Sequence, residues 1–221
     1  MENRQNKWLV SGIIGLLLFI GLAISVSIQS NWLIAIDFKL QTLISSLVSP
    51  SLTKFFSLIS ITGSPVFVIG AATCLMLFFT YRRDIYSASF LGLALIGGDA
   101  LAFIAKEVIQ RPRPTQRLVA ESGFSFPSGH AIGSTILVIM IFIIIIPKIK
   151  SQSLKLITES LAIIWLIIII FSRVYLRAHF PSDIVGALIL GVSWVSLLQF
   201  VYLNYGPLLL SKKEFIHSNN K

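Results

Sequence analysis

The chain has 221 residues, of which 55% are apolar and only 12% charged, and its mean hydropathy is +0.86. A water-soluble globule of this size has too little interior to hide so much apolar side chain, so the composition implies an all-α, polytopic membrane protein. The net charge of +9 is dispersed over short loops with no soluble basic domain to hold a duplex, which excludes nucleic acid and leaves the lipid bilayer and its anionic head groups as the natural partner.

Six segments are apolar enough to span a membrane core of ~30 Å, which takes roughly 17–25 helical residues. They lie near 8–28, 63–81, 85–108, 129–147, 156–172 and 183–205. Arg4 and Lys7, the apolar run after them and the small Ser25 and Ser27 also fit a signal peptide. The run exceeds the roughly 7–15 residues of a signal h-region, so it is read as an uncleaved first span. Between the first two spans the chain is only half as apolar. Leu33, Ile34, Phe38, Leu43 and Leu47, then Leu52, Phe55, Phe56 and Ile59, recur at helical intervals among polar residues. This pattern predicts one or two short amphipathic helices at the interface, broken by Pro50 and by Gly63-Ser64-Pro65. The single cysteine, Cys74, excludes an intrachain disulfide and reads as a small packing residue of the second span. There is no internal repeat and no soluble appendage, so residues 1–221 are expected to form a single domain. The sequence carries no signal for an oligomeric state.

Six spans make the loops alternate sides. One side carries 10 Lys or Arg residues and the other 8, falling to 5 once Lys106, Arg113 and Arg173 are reserved for a site. The excess of positive charge places both termini in the cytoplasm and the opposite face outward.

Three stretches converge on that outer face. In "KEVIQRPRP" (106–114), Lys106 ends the third span and precedes Arg113 by seven residues, while Pro112 and Pro114 stop the helix near 110. Both cations can then reach one spot at the membrane surface; a rim lysine is costly and functional by default, with snorkelling to lipid phosphates as the alternative. In "FSFPSGHA" (124–131), Ser128 is a strong N-cap type for the fourth span. The free N–H groups of that first turn and the helix dipole favour an anion, side-chain-free Gly129 allows close approach, and His130 is placed to give a proton. A capped helix carrying an interfacial histidine fits the same residues. In "SRVYLRAHFPSD" (172–183), Arg173 ends the fifth span and Pro181 suits the first turn of the sixth. Asp183, four residues after His179, can accept from one imidazole nitrogen and free the other as a nucleophile; a capped helix with a surface ion pair is the plainer reading. Tyr175 and Arg177 have no assigned role.

Together these stretches supply three cations, a helix N-terminus, two histidines and a carboxylate. Phosphoryl transfer needs that set: charge neutralisation, an in-line nucleophile and an acid for the leaving oxygen. One well-placed carboxylate, with no Asp pair or HExxH, predicts a site without a metal or other cofactor, in which Arg and Lys supply the neutralising charge.

At this point the sequence resembles the type 2 phosphatidic acid phosphatase (PAP2) family, related to the vanadium haloperoxidases. The three-part signature K-x6-RP, PSGH and SR-x5-H-x3-D is matched by Lys106, Arg113 and Pro114; by Pro127, Ser128, Gly129 and His130; and by Ser172, Arg173, His179 and Asp183. The resemblance covers roughly residues 100–190, the first two spans agreeing in hydropathy only. It implies that His179 attacks phosphorus to give a phosphohistidine, oriented by Asp183, while His130 protonates the leaving group. It further implies that Lys106, Arg113, Arg173, Ser128 and the Gly129 amide hold the phosphate. The expected function is an integral-membrane lipid phosphatase of the outer leaflet, acting on phosphatidylglycerol phosphate, phosphatidic acid or undecaprenyl diphosphate as in bacterial members. A vanadate haloperoxidase is a poor fit to six spans. The non-enzymatic alternative is a phospholipid-binding or transport protein that uses the same cationic pocket.

Two carboxylates fall outside the signature. Asp99, two turns below Lys106, is expected to support the cations or else to contact another helix. Glu121 could line the entrance, although a solvated loop carboxylate is the expected reading.

Overall fold

The computed structural model describes residues 2–218, so Lys221, counted above among the cytoplasmic charges, lies outside them. Eight α-helices follow in order: α1 (Glu2–Ser27), α2 (Asn31–Ser45), α3 (Pro50–Ile61), α4 (Pro65–Tyr81), α5 (Ile85–Ile109), α6 (Gly129–Met140), α7 (Gln152–Tyr175) and α8 (Pro181–Ser218). The chain is an all-helical, multi-span membrane protein. Five helices are long and apolar enough to cross a bilayer; α4, at 17 residues, is a shorter apolar helix. The pair α2 and α3 is bent by 117°. Pro50 opens α3 as its first residue instead of breaking a longer helix, and the Ser49 side chain caps it by accepting from the Leu52 N–H.

Local chemistry accounts for most of the boundaries. Gln110 takes a left-handed conformation (φ 51°) that closes α5 two residues before Pro112, whose ring cannot continue a helix. Helix α7 runs longer than the apolar stretch that signalled it. Ser151 caps it and its polar first turn (Gln152, Ser153, Lys155) carries no hydropathy signal. After Met140 the fourth span widens to a π turn (Ile141–Ile145) and tightens to a 3-10 turn (Ile146–Lys148). Pro147 lacks an N–H and crowds the carbonyl four residues back, so the regular hydrogen-bond ladder cannot reach it.

α6 is the most enclosed span and packs against α4, α5, α7 and α8, while α1 lies along α8. Ser193 of α8 donates to the Gly12 carbonyl of α1 at 2.6 Å, and the Trp194 indole donates to Ala94 of α5 at 2.8 Å. Polar bonds of this kind fix helix contacts where apolar side chains gain little over lipid. The outer faces of α1 and α7 expose Leu17, Leu18, Ile24, Leu161, Ile164 and Ile167, as a lipid-facing surface requires. Cys74 is exposed on α4, contrary to the expectation that it packs inside: the surface of this short helix faces outward over most of its length.

The loops sort into two ends. At one end Lys148 binds the α5 N-cap, Asp84, at 2.5 Å and lies over the Phe79 ring. At the other end the 110–128 segment, the 176–180 turn and α2–α3 meet. Leu118 N–H donates to Leu176 O, Ser125 N–H to Arg111 O and Ser128 N–H to Asp183 O. Tyr175, given no role from sequence, ties α7 to α3: its hydroxyl accepts from the Ser49 N–H at 3.1 Å and its ring packs on Phe56.

Candidate active site

All eight residues singled out from the sequence lie at this second end. Ser128 is the N-cap of α6, accepting from the Ala131 N–H, and is completely buried. Gly129 opens the helix, and a Cβ built there meets nothing nearer than Pro65 at 3.7 Å, so the face above the helix mouth is open. His130 follows in the first turn and makes no hydrogen bond to a described residue. Its electrostatic neighbours are Arg173, His179, Arg113 and Lys106.

Gly186 decides how this loop sits. A Cβ at that position would come 2.6 Å from the Phe126 ring, so α8 admits the PSGH segment against its backbone only through glycine.

The three cations arrive from different elements. Lys106, on the last turn of α5, donates to Phe124 O at 2.8 Å. Arg113 is strapped across the loop through Gly123 O, Ser122 O and Ala178 O, at 3.0, 2.9 and 3.0 Å. Arg173 is 1% exposed on α7, and its Nε–H has no partner among the described residues. A buried guanidinium that keeps a free donor is a place prepared for an anion.

His179 sits in the turn before α8. Arg113 Nη1 lies 3.1 Å from its Nε2. Arginine can only donate, so Nε2 is the acceptor and the proton resides on Nδ1. Nδ1 faces Asp183 Oδ2 at 3.4 Å, a contact too long and misaligned for a good hydrogen bond. The imidazole lone pair is thus held on Nε2, toward the cations. Burial pushes the imidazole down to about 4, against the opposing pull of Asp183, so it is neutral near pH 7.

Four features depart from the sequence reading or were not foreseen by it. Glu121, expected to be solvated, instead pairs with Arg173 through one oxygen and lies 3.8 Å from Arg113 through the other. It fills the space between two guanidiniums with a carboxylate. Asp37 of α2 and Arg111, the first arginine of "RPRP", form ion pairs at 2.6 Å, and Arg111 also pairs with Asp183 at 2.6 Å. Asp99 does not support the cations: no hydrogen bond or ion pair joins it to any described residue, and it is absent from the electrostatic neighbours of Lys106. Beside Arg113 opens a cavity of about 570 Å³, lined by Leu33, Ile34, Phe38 and Gln41 of α2 and by Gln110 and Pro114.

The model of the PAP2 superfamily matches residues 87–205, more than half of the chain. The chain belongs to the PAP2 superfamily. Among its relatives, it is 35% identical over 131 residues to phosphatidylglycerophosphatase B of Bacillus subtilis strain 168. That match covers 58% of this chain and 61% of the relative, so it spans less than two thirds of that protein's length. The PAP2 fold extends further than the sequence match. The crystal structure of a transmembrane PAP2-type phosphatidylglycerolphosphate phosphatase from Bacillus subtilis superposes with a TM-score of 0.74 at 24% identity, over 86% of this chain and 94% of that one. The structure of LpxE from Aquifex aeolicus gives 0.59 at 21% identity, over 73% and 93%.

Proposed function

We propose that the protein is a lipid phosphatase that cleaves a phosphomonoester or diphosphate lipid through a phosphohistidine on His179, without a metal. The observation that carries this is the aim of His179 Nε2, neutral and tautomerically fixed, into a cradle of Lys106, Arg113, Arg173 and the α6 N-terminus. The relatives' printed activities, on phosphatidylglycerol phosphate, support the same class of substrate.

In the proposed cycle the phosphate displaces Glu121 and takes the donors of Arg173 and Arg113, the Lys106 ammonium and the Gly129 and His130 amides. Releasing Arg113 from Nε2 frees the lone pair for attack. The new N–P bond forms as the P–O bond to the lipid breaks, and His130, which enters the step as the imidazolium once the negative charge of the bound phosphate lies beside it, gives its proton to the departing oxygen. The phosphorylated ring gains positive charge, which Asp183 stabilises through Nδ1. A water, deprotonated by the now-neutral His130, then attacks phosphorus. The N–P bond breaks and inorganic phosphate leaves. Fixed donors aimed at the developing charge act strongly in a water-poor site, the role a metal plays elsewhere.

The positive-inside bias supports termini in the cytoplasm and a site at the outer leaflet. The apolar α2 wall of the cavity beside Arg113 suits a substrate entering sideways from the bilayer. We read α1–α3 as one domain with the family region, since Ser193 holds Gly12 and Arg111 holds Asp37.

The test is phosphate release by the full chain in detergent with excess chelator. Phosphatidylglycerol phosphate, phosphatidic acid and undecaprenyl diphosphate are compared, with His179→Ala alongside. Release that survives chelation and vanishes in the variant is expected. Release that requires added Mg²⁺, or persists in the variant, overturns the mechanism. No release on any of the three lipids from folded protein leaves a binding or transport role.

A further inference from the structure

A second charged cluster stands behind the phosphate cradle, and two of its members, Asp37 and Arg111, are not among the signature residues. Asp37 is 2% exposed and accepts three bonds: from Arg111 Nη2 at 2.6 Å, from the Ser182 N–H at 2.9 Å and from the Ser182 hydroxyl at 2.6 Å. Arg111 Nη1 donates to Asp183 Oδ1 at 2.6 Å and to Ser182 Oγ at 2.7 Å, and the guanidinium lies over the Phe180 ring at 4.1 Å. The result is a row of alternating charges, Asp37–Arg111–Asp183, that ends on His179. We infer that Asp37 and Arg111 are positioning residues for the phosphohistidine reaction, fixing the Asp183 carboxylate and the charge it presents to His179, so that helix α2 takes part in catalysis.

The geometry gives two reasons. Asp183 faces His179 through Oδ2, which also accepts from the Phe180 N–H at 2.9 Å. Arg111 holds the other oxygen, so the carboxylate plane cannot rotate away from the imidazole. The second reason is charge. Arg111 by itself would cancel Asp183; Asp37 restores one net negative charge to the row, and that charge offsets the positive ring formed when His179 is phosphorylated. The other groups facing His179 are Arg113 and Arg173, with Glu121 bridging them and His130 opposite. None of these touches Asp37. Buried charges paired and held by several hydrogen bonds each tolerate little rearrangement.

The inference rests on the phosphatase reading above, and the experiment separates the two. The pH profiles of kcat and kcat/KM for lipid phosphate are measured on folded, full-length Asp37→Asn, Arg111→Gln, the double variant and the wild type, with His179→Ala as blank. Each single variant is expected to lose kcat by roughly 10- to 100-fold with KM nearly unchanged. The acid limb is expected to move in opposite directions, by about half a unit or more: down in Asp37→Asn, where a positive charge is unmasked, and up in Arg111→Gln. The double variant, which removes one charge of each sign, returns the limb to the wild-type position. A purely structural role would lower both rates without separating the limbs. Asp37→Glu, which keeps the charge, must leave the limb in place even where it slows turnover, and it stands in if Asp37→Asn yields no folded protein. Single variants with wild-type kcat, or limbs that shift together, overturn the inference while the phosphatase stands. A wild type without activity overturns the reading and the inference with it.

Discussion

Arg173→Ala is the substitution whose cost the structure sets most directly. The side chain is 1% exposed, has one N–H group on Glu121 and keeps a second donor, Nε–H, without a partner among the described residues. When phosphate replaces the carboxylate, both become charge-assisted bonds, each worth about 1.5–3 kcal/mol. The part felt only in the transition state matches the loss of one oxyanion donor, roughly 10²–10³ in rate or about 2.7–4 kcal/mol. The fold should survive. Glu121 is left with Arg113 at 3.8 Å and, being partly exposed itself, keeps access to water. The assay is kcat/KM for phosphate release from phosphatidylglycerol phosphate, beside the melting temperature in the same detergent. A fall of 10²–10³ with a melting temperature close to the wild type is expected. Turnover within about threefold of the wild type, from folded protein, would refute the assignment of Arg173 to the phosphate cradle.

Glu121→Gln removes the carboxylate that competes for the guanidiniums, so inhibition by inorganic phosphate or vanadate should tighten by roughly 10-fold, about 1.4 kcal/mol; unchanged or weaker inhibition would show that Glu121 does not occupy the anion's place. His179 must be neutral to attack, so kcat/KM should hold down to about pH 5 and fall as pH drops through about 4, where the folded protein's imidazole takes its proton. The same depressed value makes the unfolded chain bind that proton first. Stability is therefore full above about pH 6.5 and declines by about 3 kcal/mol by pH 4, and His179→Asn should flatten that slope in a melting-temperature series. Gly186→Val drives a side chain into the Phe126 ring, which should cost about 1–3 kcal/mol of stability and displace the PSGH loop. A variant with wild-type melting temperature and activity would show that the loop is not held there.

The signature residues were legible because each sits at an element boundary with local chemistry of its own: Ser128 as a cap, Pro112 as a stop, Pro181 as a start, and His179 four residues before Asp183. The spans were legible as runs of apolar residues, and the α2–α3 pair as helical intervals. Asp37 and Arg111 were not legible. Their bonds join residues 74 positions apart in one case and 72 in the other, and Asp37 looks like any polar residue of an amphipathic helix until α2 folds over the loop. Arg111 stands two residues from Arg113, and the K-x6-RP spacing singles out Arg113 while giving no sign that Arg111 pairs with Asp37 and Asp183. Glu121 was misread for a similar reason. A loop carboxylate is ordinarily solvated, and only the arrival of α7 with Arg173 gives it partners. Asp99 shows the converse: a shared helix face with Lys106 suggested support for the cations, yet two helical turns keep it apart from them.

The most direct test of the central claim is to look for the intermediate. The wild type is mixed with phosphatidylglycerol phosphate labelled in its terminal phosphate, in chelator, quenched in denaturant at alkaline pH, and digested for mass spectrometry. The expected result is one phosphoryl group on the peptide that carries His179, labile to acid and absent from His179→Ala. Rapid phosphate release with no label on His179, or with label on His130 instead, would contradict the mechanism.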